Sequence, residues 1–437
     1  MARGGDLVNS LAAGTPRFRE KREAILDGAA RLFNRNGIKG GTLTDVARSV
    51  GLITNSITYY YRKKEDLVSA CLLRSIGAID KLADEAAAAS TVEARVRGFV
   101  SAYVGMLTDI ERGRHPEVMG FSDVRSLTAP HDKLVFDAYT GMFRRIRSLL
   151  VPNAHEAQAG PPPSRMALNA RGHLLLTLTT WTRAWIDRYE PDDHPRAAHW
   201  VSDILWSGLA AAGQAWQPSI ETPDALDPQD PNDEGNSVAE AYLRAATRLV
   251  NDQGYRGASV DRIAAELNLT KGSFYHHHET KEELVSACFE QSFAVMRRVQ
   301  RAVQRQPGSG WEHLMRASQS LVNYQVSERG PLLRVSAWSA LPDALRRDKM
   351  RTIGRLGEHF GAFIVDGMID GSIRPLDQAI AARMVNGMIN AAAELSWWVP
   401  GVNVENAADL YARPLLKGLV EREPVSTPAT TSATTSA

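Results

Sequence analysis

The sequence predicts an all-α protein built as one helical unit written twice, and three observations carry that expectation. Residues 42–71, TLTDVARSVGLITNSITYYYRKKEDLVSAC, return 217 positions later as SVDRIAAELNLTKGSFYHHHETKEELVSAC, beginning at Ser259. The apolar positions superimpose without a gap. Val46, Ala47, Val50, Leu52 and Ile57 answer to Ile263, Ala264, Leu267, Leu269 and Phe274, and residues 67–71 recur letter for letter at 284–288. Upstream, Ile25, Ala29, Leu32 and Phe33 match Tyr242, Ala246, Leu249 and Val250, the i, i+4, i+7, i+8 stripe of a helix with one buried face. Solenoid arrays repeat every ~20–50 residues. The longer period here means a duplicated domain, and each copy carries a helix–turn–helix.

The elements follow in order. Gly37 and Gly254 stop the first helix, as a glycine past the last turn commonly does. Thr42 stands at a helix N-cap with Asp45 three residues on, a partial capping box, and Ser259 is its counterpart. A short helix turns Val46–Ala47 or Ile263–Ala264 inward and ends at Gly51 or Asn268, residue types that tolerate the positive φ of a tight turn. The next helix, 53–60 or 270–277, displays small polar and aromatic groups around a single apolar anchor. A helix that polar has little to pack against and much to offer a groove. Lys64 and Lys281 open the following helix, where an ammonium reaches a phosphate oxygen.

Downstream, Glu111-Arg112-Gly113 becomes Glu328-Arg329-Gly330. At the same shift Phe121 becomes Trp338, and the register is expected to hold to that point. The first copy then inserts a loop at 151–164 with Gly160 followed by Pro161, Pro162 and Pro163. Residues 217–237 hold Pro218, Pro223, Pro228 and Pro231 among six acidic residues, a composition that favours an extended linker. At the outer limit of ~3.3 Å per residue it reaches roughly 70 Å. The expected divisions are a disordered arm at 1–19, a helix–turn–helix domain at 20–80 and a helical domain at 81–216. The linker at 217–237 follows, then a second helix–turn–helix domain at 238–297, a second helical domain at 298–421 and a disordered tail at 422–437.

A chain of 437 residues with 44% hydrophobic content has room for two or more cores. No run approaches the ~18 apolar residues of a membrane helix and no apolar signal stretch opens the chain, so no membrane partner and a cytoplasmic location are expected. Cys71 and Cys288 occupy equivalent helix positions and read as small core residues under reducing conditions. The formal net charge of +1 is uninformative, but its distribution is not. Residues 17–66 carry eleven basic against six acidic side chains, a balance of +5, whereas 237–284 carry six against seven, a balance of −1. The first copy is therefore expected to supply more of any salt-dependent attraction to phosphates. No phosphate-binding glycine loop, nucleophile elbow, dinucleotide fingerprint or HExxH pair is present, which argues against an enzyme and against a cofactor. His276-His277-His278 diverge by ~100° per residue on a helix and do not converge on one metal ion.

The run LNLTKGSFYHHH at 267–278, followed by Lys281-Glu282-Glu283-Leu284, resembles TetR/AcrR-family transcriptional regulators, and the likeness extends upstream through Gly254, Gly257 and Ser259 to Ala264. The resemblance implies two tandem TetR-like units, each an N-terminal three-helix domain with a helix–turn–helix plus a larger helical effector and dimerisation domain. Carried over by position, Lys271, Gly272, Ser273, Tyr275, His276 and His277 face DNA and Lys281 the backbone. In the first copy the corresponding set is Thr42, Thr44, Thr54, Asn55, Ser56, Thr58, Tyr59, Tyr60 and Lys64. There Thr54, Asn55 and Thr58 replace Lys271, Gly272 and Tyr275, so the two copies are not expected to read the same bases; Asn55 offers the bidentate amide that suits adenine.

The family further implies a double-stranded DNA operator, a small-molecule effector, release of a repressor by that effector, and dimerisation through the last two helices. Those helices are placed at 166–189 with 196–216, and at 376–398 with 405–419. Phe121, Trp181, Trp185, Trp338 and Trp397 are candidates for the effector cavity. Packing of an interhelical core or dimer face is the plainer role for the tryptophans at 181, 185, 397 and 398 and for Tyr189. Because the units are joined, either an intrachain pseudo-dimer or a homodimer satisfies the pattern. The competing reading is a small-molecule sensor or interaction protein that has lost DNA binding in one or both copies.

Overall fold

In the computed structural model, which describes residues 15–121, 127, 129–153, 156, 163–223, 237–266 and 280–420, Thr15 caps the first helix by accepting from the Phe18 amide. That helix, α1 (Pro16–Gly40), begins three residues before the expected arm ends, because a proline in the first turn gives up an amide that has no helical partner anyway. α2 (Leu43–Ser49), α3 (Thr54–Tyr60) and α4 (Lys64–Ala87) complete a small domain in which α1 packs on α2 and α4. α4 continues into a larger layer with α5 (Val92–Glu111), α6 (His131–Ser148), α7 (Arg165–Trp181) and α8 (His194–Ser207).

The second half repeats the plan with α9 (Ser237–Gly257), α10 (Val260–Glu266), α11 (Lys281–Gln304), α12 (Gly310–Val326), α13 (Asp343–Ile369) and α14 (Gln378–Ala392). α15 (Leu395–Trp398) and a π turn, Ala408–Ala412, running into α16 (Arg413–Lys417) close it. The packing partners recur: α4 on α5 and α6, α5 on α7 and α8, and α6 on α7 have counterparts in α11 on α12 and α13, α12 on α14 and the π turn, and α13 on α14. Local detail recurs too. Gly37 and Gly254 both sit at φ 69°, with ψ 163° and 166°, a region open only to glycine, and break their helices at the same place. Cys71 Sγ contacts the Leu26 carbonyl as Cys288 Sγ contacts that of Leu243. Both thiols are free and buried, and burial pushes each up to about 12, so neither is a reactive thiolate. Among the described residues no helix is long and apolar enough to cross a membrane.

Three sequence expectations need correction. The register slips before Phe121, not after it. Ser75 accepts from the Met119 amide and Ser292 from Leu333, while Asn34 accepts from Gly120 and Asn251 from Arg334. Those amides are related by 214, not 217, so the counterpart of Phe121 is Val335 and not Trp338. The second correction concerns the terminal helices. The helix expected over 166–189 ends at Trp181 and becomes two 3-10 turns, Thr182–Ala184 and Ile186–Arg188. The one expected over 376–398 breaks after Ala392 in the same way. Residues 208–216 leave the helix because Gly208, at φ 71° and ψ −166°, cannot continue it.

The third concerns the linker. Its first residues are strapped to the second half. Trp216 Nε1 donates to Asp409 at 2.6 Å, and Trp311, Gln319 and Asn323 along α12 donate to the carbonyls of Ala215, Gln217 and Ser219. Those donors are tolerated inside because the strap's otherwise unpaired backbone oxygens receive them.

The two larger layers meet through their last helices. α7 and α8 pack against α14, α8 also against α16, and α7 against α15 and the π turn, so that one buried apolar cluster runs through both layers. At the centre the helix ends cap one another: the amides of Leu209 and Ala210 donate to the Leu416 carbonyl at 2.8 and 3.1 Å, and the Leu419 amide donates to Leu205 at 2.9 Å. Gly208 and Gly418 make that approach possible. A Cβ on Gly208 would lie 2.5 Å from the Leu416 oxygen. Gly208→Ala is therefore expected to cost roughly 2–4 kcal/mol, from φ strain plus backbone overlap, read as a fall in the thermal or urea midpoint. The exposed, open Gly51→Ala serves as the strain-only control, with a smaller fall.

Candidate nucleic-acid interface

Thr42 opens α2 with a complete capping box. Its hydroxyl accepts from the Asp45 amide at 3.1 Å and its own amide donates to Asp45 Oδ2 at 3.0 Å. The Thr42 hydroxyl and amide hold the Asp45 carboxyl below its ordinary value. α2 buries Val46 and Ala47, and Gly51 turns the chain at φ 68°. α3 then stands on one buried side chain, Ile57, which is wholly inaccessible. The remainder of α3 faces outward: Asn55 is exposed, Tyr59 is 75% exposed, and Thr54, Ser56, Thr58 and Tyr60 are half-buried. Thr54 Oγ1 reaches Thr44 Oγ1 at 3.3 Å, joining the two helices at their outer edge. Lys64 begins α4 beside them.

α1 completes this surface in a way that the motif alone did not specify. Phe18 packs on Tyr60 with ring centroids 4.7 Å apart, and Tyr59 stands edge-on to Tyr60 at 5.3 Å. Lys21 borders a shallow hollow shared with Asn55, Ser56 and Tyr59. Arg17, Arg19 and Lys21 are exposed. The basic run at the head of α1 was the available signal, though it entered only the charge balance. Behind it, Arg22 Nε donates to the Tyr61 hydroxyl at 3.0 Å.

In the second half Ser259 caps α10 by accepting from the Arg262 amide at 3.2 Å, and Lys281 begins α11 under a capping box made by Thr280 and Glu283. Lys271, Gly272, Ser273, Tyr275, His276 and His277 lie outside the described residues. This second small domain has its own apolar cluster of α9 and α11, extended by Leu333, Leu341 and Leu356.

Bacterial regulatory proteins of the tetR family match this chain at residues 25–71 and again at 243–288, near the head of each half. The chain is a tandem TetR-family protein. It is 35% identical over 60 residues to the Transposon Tn10 TetC protein of Escherichia coli, a stretch that makes up 14% of this chain and only 30% of TetC. Against the HTH-type transcriptional repressor DhaR of Mycobacterium sp. (strain GP1) it is 24% identical over 139 residues, 31% of this chain and 70% of DhaR. Among solved structures, a TetR family transcriptional regulator, PfmR from Thermus thermophilus, is 25% identical with a TM-score of 0.35, covering 41% of this chain and 99% of its own.

The candidate effector residues of this TetR-family chain do not converge on one place. Phe121 and Trp181 border a cavity of about 390 Å³ between the two larger layers. Trp185 is instead buried against Tyr189, and Arg383 of α14 lies over both rings while donating to the Tyr189 hydroxyl at 2.9 Å. Trp397 is half-buried outside the cavity; its neighbour Trp398 packs on Phe143 at 4.8 Å and Tyr139 at 5.3 Å in the first half. The side chain of Trp338 lies outside the described residues. Trp185 and Trp398 thus serve the contact between halves, the plainer role.

Since α3 rests on one side chain, Ile57→Ala is expected to destabilise the first small domain by about 2–5 kcal/mol. Tyr59→Ala, which removes an exposed ring, should stay within ~1 kcal/mol of the parent. Urea unfolding of both variants, followed by circular dichroism, separates anchor from surface.

Proposed function

We propose that the chain is a DNA-binding transcriptional regulator, a repressor released by a small molecule, whose halves grip one operator as an intrachain pseudo-dimer. One observation carries the reading: the reciprocal capping of α8 and α16 at Gly208 and Gly418. Contacts that recur in both directions characterise a two-fold interface, and here both partners belong to one polypeptide. The strap over α12 and the short connection to α9 act in the same sense, because a tether of this kind raises the local concentration of the second half to about the millimolar range.

In this reading Thr44, Thr54, Asn55, Ser56, Thr58, Tyr59 and Tyr60 face one half-site, with Thr42 capping α2 and Lys64 on the backbone. Lys271, Gly272, Ser273, Tyr275, His276 and His277 face the other, with Ser259 and Lys281 in the corresponding supporting roles. Reading helices of such a pair lie about one DNA turn apart, ~34–36 Å. Because the two sets differ, the operator is an imperfect palindrome with dissimilar arms.

Light scattering should give a mass near 47.9 kDa for the free protein, and one chain per operator in the complex. Twice that mass, with a symmetric footprint, would sink the pseudo-dimer. On DNA, Lys64→Ala should weaken all sequences alike and lower the slope of log affinity against log salt by about one. Asn55→Ala should relax one arm alone, at a cost of about 1–3 kcal/mol, in a gel-shift series at several salt concentrations.

A further inference from the structure

The cavity between the halves has an unusual ownership. Three pairs of equivalent positions border it: Gly120 with Arg334 and Phe121 with Val335, related by 214, and Trp181 with Glu394, related by 213 as are the capping residues of α7 and α14, Ser164 and Asp377. A space bordered by the same positions from both halves lies on the axis that relates them. From there it runs into the first half only, reaching Ile79 and Tyr103 between α4 and α5. The corresponding depth of the second half is filled by Phe293, Met296, Leu356 and Ile389, leaving about 40 Å³, room for about one water. Trp181 stands between the two spaces and borders both. Of these two spaces only the one in the first half is ligand-sized, since small-molecule pockets run to ~300–1,000 Å³.

Its walls divide chemically. The wall from the first half is largely apolar and aromatic, with Ile79 and Tyr103 at its depth and Phe121 edge-on to Tyr139 at 5.1 Å. The axial end holds two guanidinium groups, Arg183 paired with Glu117 and Arg334 paired with Glu394. Among the described residues neither Arg334 Nε nor Trp181 Nε1, both buried, has a hydrogen-bond acceptor, and both residues border the chamber. Two orphaned donors beside a guanidinium call for an acceptor, and each left unmet costs about 1–3 kcal/mol. A carboxylate or sulfonate satisfies them best.

The same wall leads to the small domains. Arg334 and Val335 run into the 3-10 turn Val335–Ala340, and that turn touches α1 of the first half and α9 of the second. Asn251 on α9 also clasps the segment directly, donating to the Leu332 carbonyl at 2.9 Å and accepting from the Arg334 amide at 3.0 Å.

We propose that this chamber is a single site, shared by the two halves, for a small amphipathic anion with an aromatic or aliphatic body, and that its occupancy reaches both DNA-binding domains through the turn at 335–340. The ligand's body lies against Phe121 and Tyr139 in the first half, and its anionic head meets Arg334 from the second. A dimer of identical halves would present this chamber twice; among the described residues the equivalent depth of the second half is filled. Only the effect on DNA rests on the regulator reading, and the site stands without it.

The test uses the full chain with anilinonaphthalene sulfonate as the probe and phenylnaphthylamine as its uncharged analogue, both followed by fluorescence. One sulfonate per chain is expected, with the uncharged analogue at least about ten-fold weaker. Arg334→Gln, from the second half, and Thr180→Phe, filling the chamber from the first, should each weaken the probe about ten-fold, with the thermal midpoint of each confirming its fold. Two independent sites per chain, or a variant from one half that leaves the affinity unchanged, overturns the shared site. A gel shift with and without saturating probe is read separately. Probe binding once per chain with no DNA binding at all overturns the regulator reading and leaves the site. DNA binding that is indifferent to bound probe overturns the coupling through 335–340.

Discussion

Two glycines at the ends of α8 and α16 set the geometry on which the rest depends. Helix C-termini leave carbonyls unpaired, and the usual remedy is local. Here the carbonyls of Leu205 and Leu416 are satisfied by amides of the opposite half, which requires the two backbones to come closer than any side chain permits. Around that contact Leu205, Leu209, Leu415, Leu416 and Leu419 are wholly buried, each contributing ~1.5–3 kcal/mol by removal from water. The hydrogen bonds fix the angle and register that burial alone leaves loose. Once the ends of α8 and α16 are pinned, α7 must lie on α14, and the chamber between them acquires its shape.

The sequence made the small domains legible because their constraints are local. A capping threonine, a glycine turn and one apolar anchor act over a few residues, so Thr42, Gly51 and Ile57 declared themselves by type and spacing. Gly37 and Gly254, or Cys71 and Cys288, did so again through the duplication. What escaped was set at longer range. The slip near Gly113 is invisible to residue matching, since Phe121 and Trp338 pair as plausibly as Phe121 and Val335. Only the backbone bonds to Ser75, Asn34, Ser292 and Asn251 decide it. Periodicity likewise extended the terminal helices through Trp185 and Trp398, because both are apolar and in phase. Each lies beyond a helix break, where the chain leaves its own axis to put an indole against the other half. Composition gave no sign of the linker's anchorage, for the donors at Trp311, Gln319 and Asn323 sit on a distant helix.

That anchorage explains an otherwise odd helix. α12 is buried on nearly every side and yet carries Ser318, Gln319, Ser320, Asn323 and Gln325. Buried amides of this kind are costly without partners. Gln319 Nε2 and Asn323 Nδ2 find theirs in the strap, and Gln325 Nε2 finds its in the Ile389 carbonyl at 2.7 Å while its Oε1 accepts from the Leu332 amide. α12 therefore holds together three things at once: the chain leaving the first half, α14 at the contact between halves, and the segment that borders the chamber. Its polar residues trade intrinsic stability for a fixed route of the backbone.

Joining the halves also releases them from a restriction that binds any homodimer. In a symmetric pair a substitution at the axis appears twice, so a charge there meets its own copy. Here position 120 is glycine and its equivalent, 334, is arginine; position 181 is tryptophan and its equivalent, 394, is glutamate. Arg334 pairs with Glu394, and Glu394 lies 3.6 Å from His173 of the first half, whose Nδ1 shares a 2.8 Å hydrogen bond with Tyr411 of the second. Burial pushes the Tyr411 phenol upward, so it remains protonated in that network. The mirror image of the network is not made, because Trp181 occupies the place a second carboxylate would need. The asymmetry is thus more than drift between copies: a polar path on one side of the axis and an indole on the other can exist together only when two unlike sequences share one chain.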